Sequence, residues 1–225
     1  MIKAVVFDFD GVLANSEPLH FRAFRDVLRG FGIPLTESAY YSLYLGYDDV
    51  GAFQAIAQDN GLALGPGQVA DLVAQKAVRL EALEHGVSVL FPGAREAVLR
   101  MAARGPIAIA SGARRAEIER GLEREGLRSH FPVLVAAEDT VASKPDPAPY
   151  RLAVELLAAR QPGGLAPSEC VAVEDSRWGL VSAAGAGLRT IAITHSYPAD
   201  SLTEADAVID HLDGLTEESL VALAR

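Results

Sequence analysis

Lys3-Ala4-Val5-Val6-Phe7-Asp8-Phe9-Asp10-Gly11 decides how this chain is read. From Ile2 to Phe9 the run is short, mostly apolar and rich in β-branched residues, and it halts at Asp10-Gly11. Continuous rather than alternating hydrophobicity predicts a strand covered on both faces, as in a parallel sheet. Runs of the same type return at Pro106–Ala110, Pro132–Ala136, Val171–Val173 and Thr190–Ile193, with a weaker sixth at Ala207–Ile209. Helical patterns lie between them, at Ala94–Ala103, Arg114–Glu125, Tyr150–Ala159 and Gly179–Ala186. Strands and helices alternating at this spacing predict βαβ units and a doubly wound, Rossmann-like α/β sheet.

Residues 15–86 break that rhythm. Their patterns are helical only, beginning near Pro18–Gly30 and closing with Gln68–Glu84, and Pro92-Gly93 marks the return of the α/β pattern. The expectation is an α/β core formed by residues 1–14 and 87–225, with an all-helical cap domain inserted at 15–86.

The bulk numbers exclude several classes of function. Among 225 residues, 50% are apolar and 22% charged, as in an ordinary globular protein. A formal net charge of −10 argues against nucleic acid or an anionic membrane surface as a partner. The single cysteine, Cys170, cannot form an intramolecular disulfide and fits a reducing compartment. The N-terminal stretch lacks the apolar run and cleavage site of a signal peptide, and no stretch approaches the roughly 20 apolar residues of a membrane span. A soluble, cytoplasmic protein is expected.

In open α/β sheets, ligands bind beyond the carboxyl ends of the strands. The first strand ends in Asp8-Phe9-Asp10-Gly11 and the second in Ser111-Gly112. Ser143-Lys144-Pro145 follows the third after a loop, and Glu174-Asp175 closes the fourth. Each alone has a plainer reading: an acidic turn, a helix cap, a solvated lysine. Polar or charged groups at four successive strand ends reverse that weighting.

DFDGVLANSE, IASG, SKPDP and VEDSRWG, in that order, resemble the four motifs of the haloacid dehalogenase-like superfamily. The resemblance is to the branch with a helical cap after the first strand, similar to β-phosphoglucomutase and phosphoglycolate phosphatase, and it spans essentially the whole chain. It implies a phospho-aspartyl intermediate, a Mg²⁺ cofactor, a core strand order of 5-4-1-2-3 and the backbone carbonyl of Asp10 as a magnesium ligand.

Elementary electrostatics supports those roles. A carboxylate attacking a phosphate dianion meets repulsion of roughly 8 kcal/mol, at ~4 kcal/mol per charge pair in an effective dielectric near ~20. Asp8 can be the nucleophile only if cations offset that repulsion. Asp175 and Glu174 supply the hard oxygen ligands that suit Mg²⁺, with Asp8 completing the set. Lys144 adds a point charge, and the Ser111 hydroxyl and Gly112 amide cradle phosphate oxygens at a helix start. In a strand, residues 8 and 10 project to one side, so Asp10 is expected to protonate the leaving alkoxide and later deprotonate water.

In the cap, Lys76 falls within the stripe Val69, Leu72, Val73, Leu80 and Leu83, and His20 shares a face with Phe24, Val27 and Phe31. Lys76 either snorkels past an interface or contacts an anionic substrate, His20 either packs in the core or has a proton-handling or substrate role, and Gly46 is a third candidate contact. Mutases of the branch carry an arginine shortly after a glycine in the first cap loop. Here Gly46-Tyr47-Asp48-Asp49 offers two acids instead, which disfavours a second phosphate. Asn15 stands where relatives often have aspartate. The expected activity is a phosphatase for a small phosphorylated metabolite: a sugar, polyol or short acid phosphate. A sugar-phosphate mutase is the alternative in mechanism and a receiver-like phospho-aspartate module the alternative of another class. A monomer is expected.

Overall fold

The computed structural model describes residues 1–45 and 47–223, which divide into two compact units, residues 1–15 with 88–223 and residues 16–45 with 47–87. In the first, six parallel strands form one sheet: β1 (Ala4–Phe7), β2 (Ile107–Ala110), β3 (Val133–Val135), β4 (Cys170–Glu174), β5 (Arg189–Ile193) and β6 (Ala207–Ile209). Their order is β3-β2-β1-β4-β5-β6, the expected five-strand order with the weaker sixth run added at the edge.

The helices, in chain order, are α1 (Glu17–Arg29), the single turn α2 (Glu37–Ala39), α3 (Asp49–Asp59) and α4 (Pro66–Glu84) in the second unit. The first unit contributes α5 (Ala94–Arg104), α6 (Arg115–Arg124), α7 (Ala148–Ala158), α8 (Arg177–Gly185) and α9 (Glu217–Ala222).

The continuous apolar run of β1 has its cause in two-sided burial. Ala4 and Val6 pack in a cluster with Tyr150, Ala153 and Leu157 of α7 and Ala183 of α8. Phe7, with no exposed surface, meets the edge of Phe131 at a centroid distance of 6.3 Å. Each such large side chain contributes about 2–3 kcal/mol through burial. The chain leaves and re-enters this unit side by side, because the Asn15 N–H donates to the Val89 carbonyl at 2.6 Å and that of Phe91 to Leu13 at 2.9 Å.

The second unit has its own core, in which α1, α3 and α4 bury Phe24, Phe53, Ile56, Val69 and Leu72. Phe24 and Phe53 sit 4.7 Å apart, centroid to centroid. Phe31, expected on the buried face of α1, lies beyond the helix end at Arg29 and is exposed.

Candidate active site

Asp8 stands immediately beyond β1, its N–H donating to the Val173 carbonyl at 3.0 Å. Since β1 ends at Phe7 and Asp10 lies beyond the Phe9 bend, in an isolated bridge with Ala14, strand alternation does not govern where the Asp8 and Asp10 side chains point. Lys144 Nζ lies 3.0 Å from Asp8 Oδ1 and 2.5 Å from Glu174 Oε1. Glu174, closing β4, is wholly buried. Its Oε1 also accepts from the Tyr150 hydroxyl at 2.7 Å. Oε2 accepts from the Ser176 hydroxyl at 3.1 Å and from the N–H groups of Asp175 and Ser176 at 3.2 and 3.4 Å. Both oxygens are thus already engaged by the protein, and Glu174 anchors Lys144.

Among the described residues, Asp8, Glu174 and Asp175 offer carboxylate oxygens that all lie within 4.8 Å of one another. When all three carboxyls are ionised, one ammonium leaves two negative charges uncompensated in a buried place, the deficit that one divalent cation would cancel. The all-oxygen donor set suits Mg²⁺. Asp8 and Asp175, less committed to other partners than Glu174, are the better placed ligands. The crowding shows in the acidities. Burial pushes the Asp8 carboxyl up to about 6, with the charge of Glu174 adding to the rise and Lys144 opposing it. Burial, then Glu174 and Asp8, hold Asp175 well above the usual carboxylate range. Burial acts to lower the Lys144 ammonium, but Asp8 and Glu174 outweigh it and hold it above its ordinary value.

Ser111 follows β2 and is buried; its hydroxyl oxygen accepts the Ala113 N–H at 3.1 Å, which leaves the O–H free to donate. Gly112 is exposed, with open space where a side chain would be. Four groups were invisible to inspection of the first four strand ends. Tyr150 looks like helix core by pattern, and Gly179 like a helix residue, although a Cβ there would overlap the Glu174 carboxylate. His195 and Ser196 follow β5. The Ser196 hydroxyl donates to Asp175 Oδ2, and His195 Nδ1 lies 3.0 Å from the Gly11 carbonyl. Applying the strand-end test to the fifth strand would have found both.

In the second unit, Lys76 has no exposed surface; Nζ bonds to Asp49 Oδ1 at 2.7 Å and His20 Nδ1 at 2.8 Å, and lies 4.9 Å from the Phe24 ring centroid. Burial, with the adjacent Lys76 charge, holds the His20 imidazole well below its ordinary range. Asp48 caps α3, accepting the Gly51 N–H at 2.7 Å. The two acids of this loop are therefore a helix cap and an ion-pair partner. Gly46 lies outside the described residues.

An acidic cluster and a paired lysine at the carboxyl edge of a parallel α/β sheet are suited to phosphoryl transfer. The chain belongs to the haloacid dehalogenase-like hydrolase family, whose profile matches residues 2–187. It is 31% identical to protein CbbY of Rhodobacter capsulatus, over 99% of each chain. It is 32% identical to a phosphorylated carbohydrates phosphatase of Thermotoga maritima, over 92% of this chain and 93% of that one. The crystal structure of CbbY from Rhodobacter sphaeroides with xylulose-(1,5)bisphosphate superposes with a TM-score of 0.82 at 28% identity, covering 94% of this chain and 95% of that one. Among the described residues, no helix is long and apolar enough to cross a membrane.

Proposed function

We propose that this chain is a magnesium-dependent phosphatase for a small phosphomonoester, with a phosphorylated carbohydrate as its substrate class. The observation that carries the reading is the buried cluster in which Lys144 bridges Asp8 and Glu174 while Asp175 completes a set of oxygen donors within 4.8 Å. The substrate class rests on the relatives, one named as a phosphatase of phosphorylated carbohydrates and one solved with a sugar bisphosphate. Membership of a hydrolase family speaks against the receiver-like alternative.

Asp8 and Asp175 would hold the metal with the Asp10 carbonyl, and Mg²⁺ when bound supplies charge neutralisation between carboxylate and phosphate. An Asp8 oxygen forms the new bond to phosphorus as the bond to the leaving oxygen breaks, and Asp10 gives its proton to that oxygen. Asp10 then takes a proton from a water whose oxygen attacks phosphorus, releasing phosphate and restoring Asp8. The Lys144 ammonium and the Ser111 hydroxyl hold the phosphate oxygens throughout. Glu174 acts through Lys144, as a positioning residue.

The test is release of inorganic phosphate from an aryl phosphate and from a panel of sugar, polyol and short-acid phosphates. Asp8→Asn is expected to lower turnover by at least about a thousandfold, on the scale of losing a catalytic nucleophile. Full activity in that variant overturns the mechanism, and an isomerised sugar phosphate without free phosphate overturns the phosphatase reading in favour of a mutase.

A further inference from the structure

The loop after β5, Thr194-His195-Ser196-Tyr197, reaches back to the site at two points. The buried Asp175 carboxylate receives the Ser196 hydroxyl on Oδ2. The Gly11 carbonyl accepts from His195 Nδ1 at 3.0 Å; a carbonyl only accepts, so the imidazole carries its proton on Nδ1. The His195 ring stacks on Phe91 at a centroid distance of 3.8 Å and an interplanar angle of 22°.

Gly11 is where these contacts converge. Its φ of +76° lies in the left-handed region, and a Cβ there would overlap the Asp175 carboxylate. Its N–H donates to the Ala14 carbonyl at 2.9 Å. A trans peptide points its C=O opposite its N–H, so that bond also sets the direction of the Asp10 carbonyl. Gly11 is thereby held at both ends, by Ala14 on its nitrogen and by His195 on its oxygen.

We infer that His195 and Ser196 are positioning residues for the metal site: Ser196 fixes the Asp175 carboxylate so that Oδ1 is the oxygen offered to the cation, and His195 fixes the Gly11 turn that aims the Asp10 carbonyl. The inference rests on the metal reading proposed above. Hydrogen-bond partners of metal ligands set ligand orientation, and a ligand free to rotate binds more weakly although no ligand is lost.

The experiment measures Mn²⁺ binding by electron paramagnetic resonance and Mg²⁺ binding by calorimetry, without substrate, in the full chain and in paired variants. Ser196→Val and Ser196→Thr have the same shape and differ by the hydroxyl. The valine variant is expected to bind either ion at least about tenfold more weakly and the threonine variant within about threefold of the parent, the usual scale for such partners. His195→Phe keeps the stack on Phe91 and loses the donor, whereas His195→Asn keeps a donor. The phenylalanine variant is expected to weaken ion binding by a similar factor, with affinity recovered in the asparagine variant. Equal affinity in the valine and threonine variants overturns the role of Ser196, and equal affinity in the phenylalanine and asparagine variants that of His195. If the parent binds neither ion, the metal reading itself fails, an outcome distinct from either. Should a valine or phenylalanine variant not fold, the threonine and asparagine variants still decide, since a loss of affinity in these hydrogen-bonding replacements contradicts the inference.

Discussion

Between Glu174 and Gly179 there is no room for a methyl group. Gly179 lies in the first turn of α8, where alanine would ordinarily gain about 1 kcal/mol of helix stability. Against that stands the cost of overpacking, about 1–3 kcal/mol, borne by a carboxylate whose partners are Lys144, Tyr150, Ser176 and the Asp175 amide. The second effect is larger. Gly179→Ala is expected to lower stability by a net ~1 kcal/mol in urea denaturation. It should also lower kcat at least about tenfold, because Glu174 can move only by releasing Lys144. Unchanged kcat would show that Glu174 does not position the lysine. Local pattern conceals this role: nothing in the sequence marks the acid beside Asp175 as the hydrogen-bond partner of Lys144 and Tyr150.

At the scale of elements, α1 and α4 are joined through a buried polar group, His20 to Lys76, with Asp49 of α3 as the counter-charge. On the same side of the network the Tyr40 hydroxyl donates to Glu17, whose carboxyl is raised by burial. Because His20 is held below its ordinary 6.5, the unfolded chain takes up that proton first as pH falls. The contribution of His20 to stability therefore drops as pH falls through 6.5, at up to about 1.4 kcal/mol per pH unit. Glu17 works the other way, its raised value favouring the folded state as pH falls above 4.5. His20→Gln leaves Glu17 in place, so comparing urea midpoints at pH 7.5 and 5.5 isolates the histidine. The stability of the parent relative to the variant is expected to fall over that interval from pH 7.5 to 5.5. An equal change in both would remove His20 as a contributor. The helices here were legible from periodicity, but that Lys76 is an ion-pair partner was not, since Asp49 lies 27 residues away.

For the whole molecule, the proposed metal would separate activity from fold. The sheet is held by two-sided apolar burial with no part in charge balance, whereas the site gathers three buried carboxyls around one lysine. Chelation is accordingly expected to abolish phosphate release while leaving the far-ultraviolet circular dichroism spectrum unchanged. Saturating Mg²⁺ should raise the melting temperature, and the rise should shrink below about pH 6, where protons compete for Asp8. A Mg²⁺ effect that grows on acidification contradicts the ligand set. The sequence by itself determined the parallel sheet, the all-helical stretch between its first two strands, and the acids and lysine at the strand ends. These follow from apolar runs and from the rule that ligands gather at the carboxyl edge, both local in the chain. Only the tertiary structure decided which carboxylate anchors Lys144, which loop steadies Asp175, and where the cap's buried charge finds its partner. Each of those is a hydrogen bond between segments far apart in sequence, and its strength depends on burial that no single segment can specify.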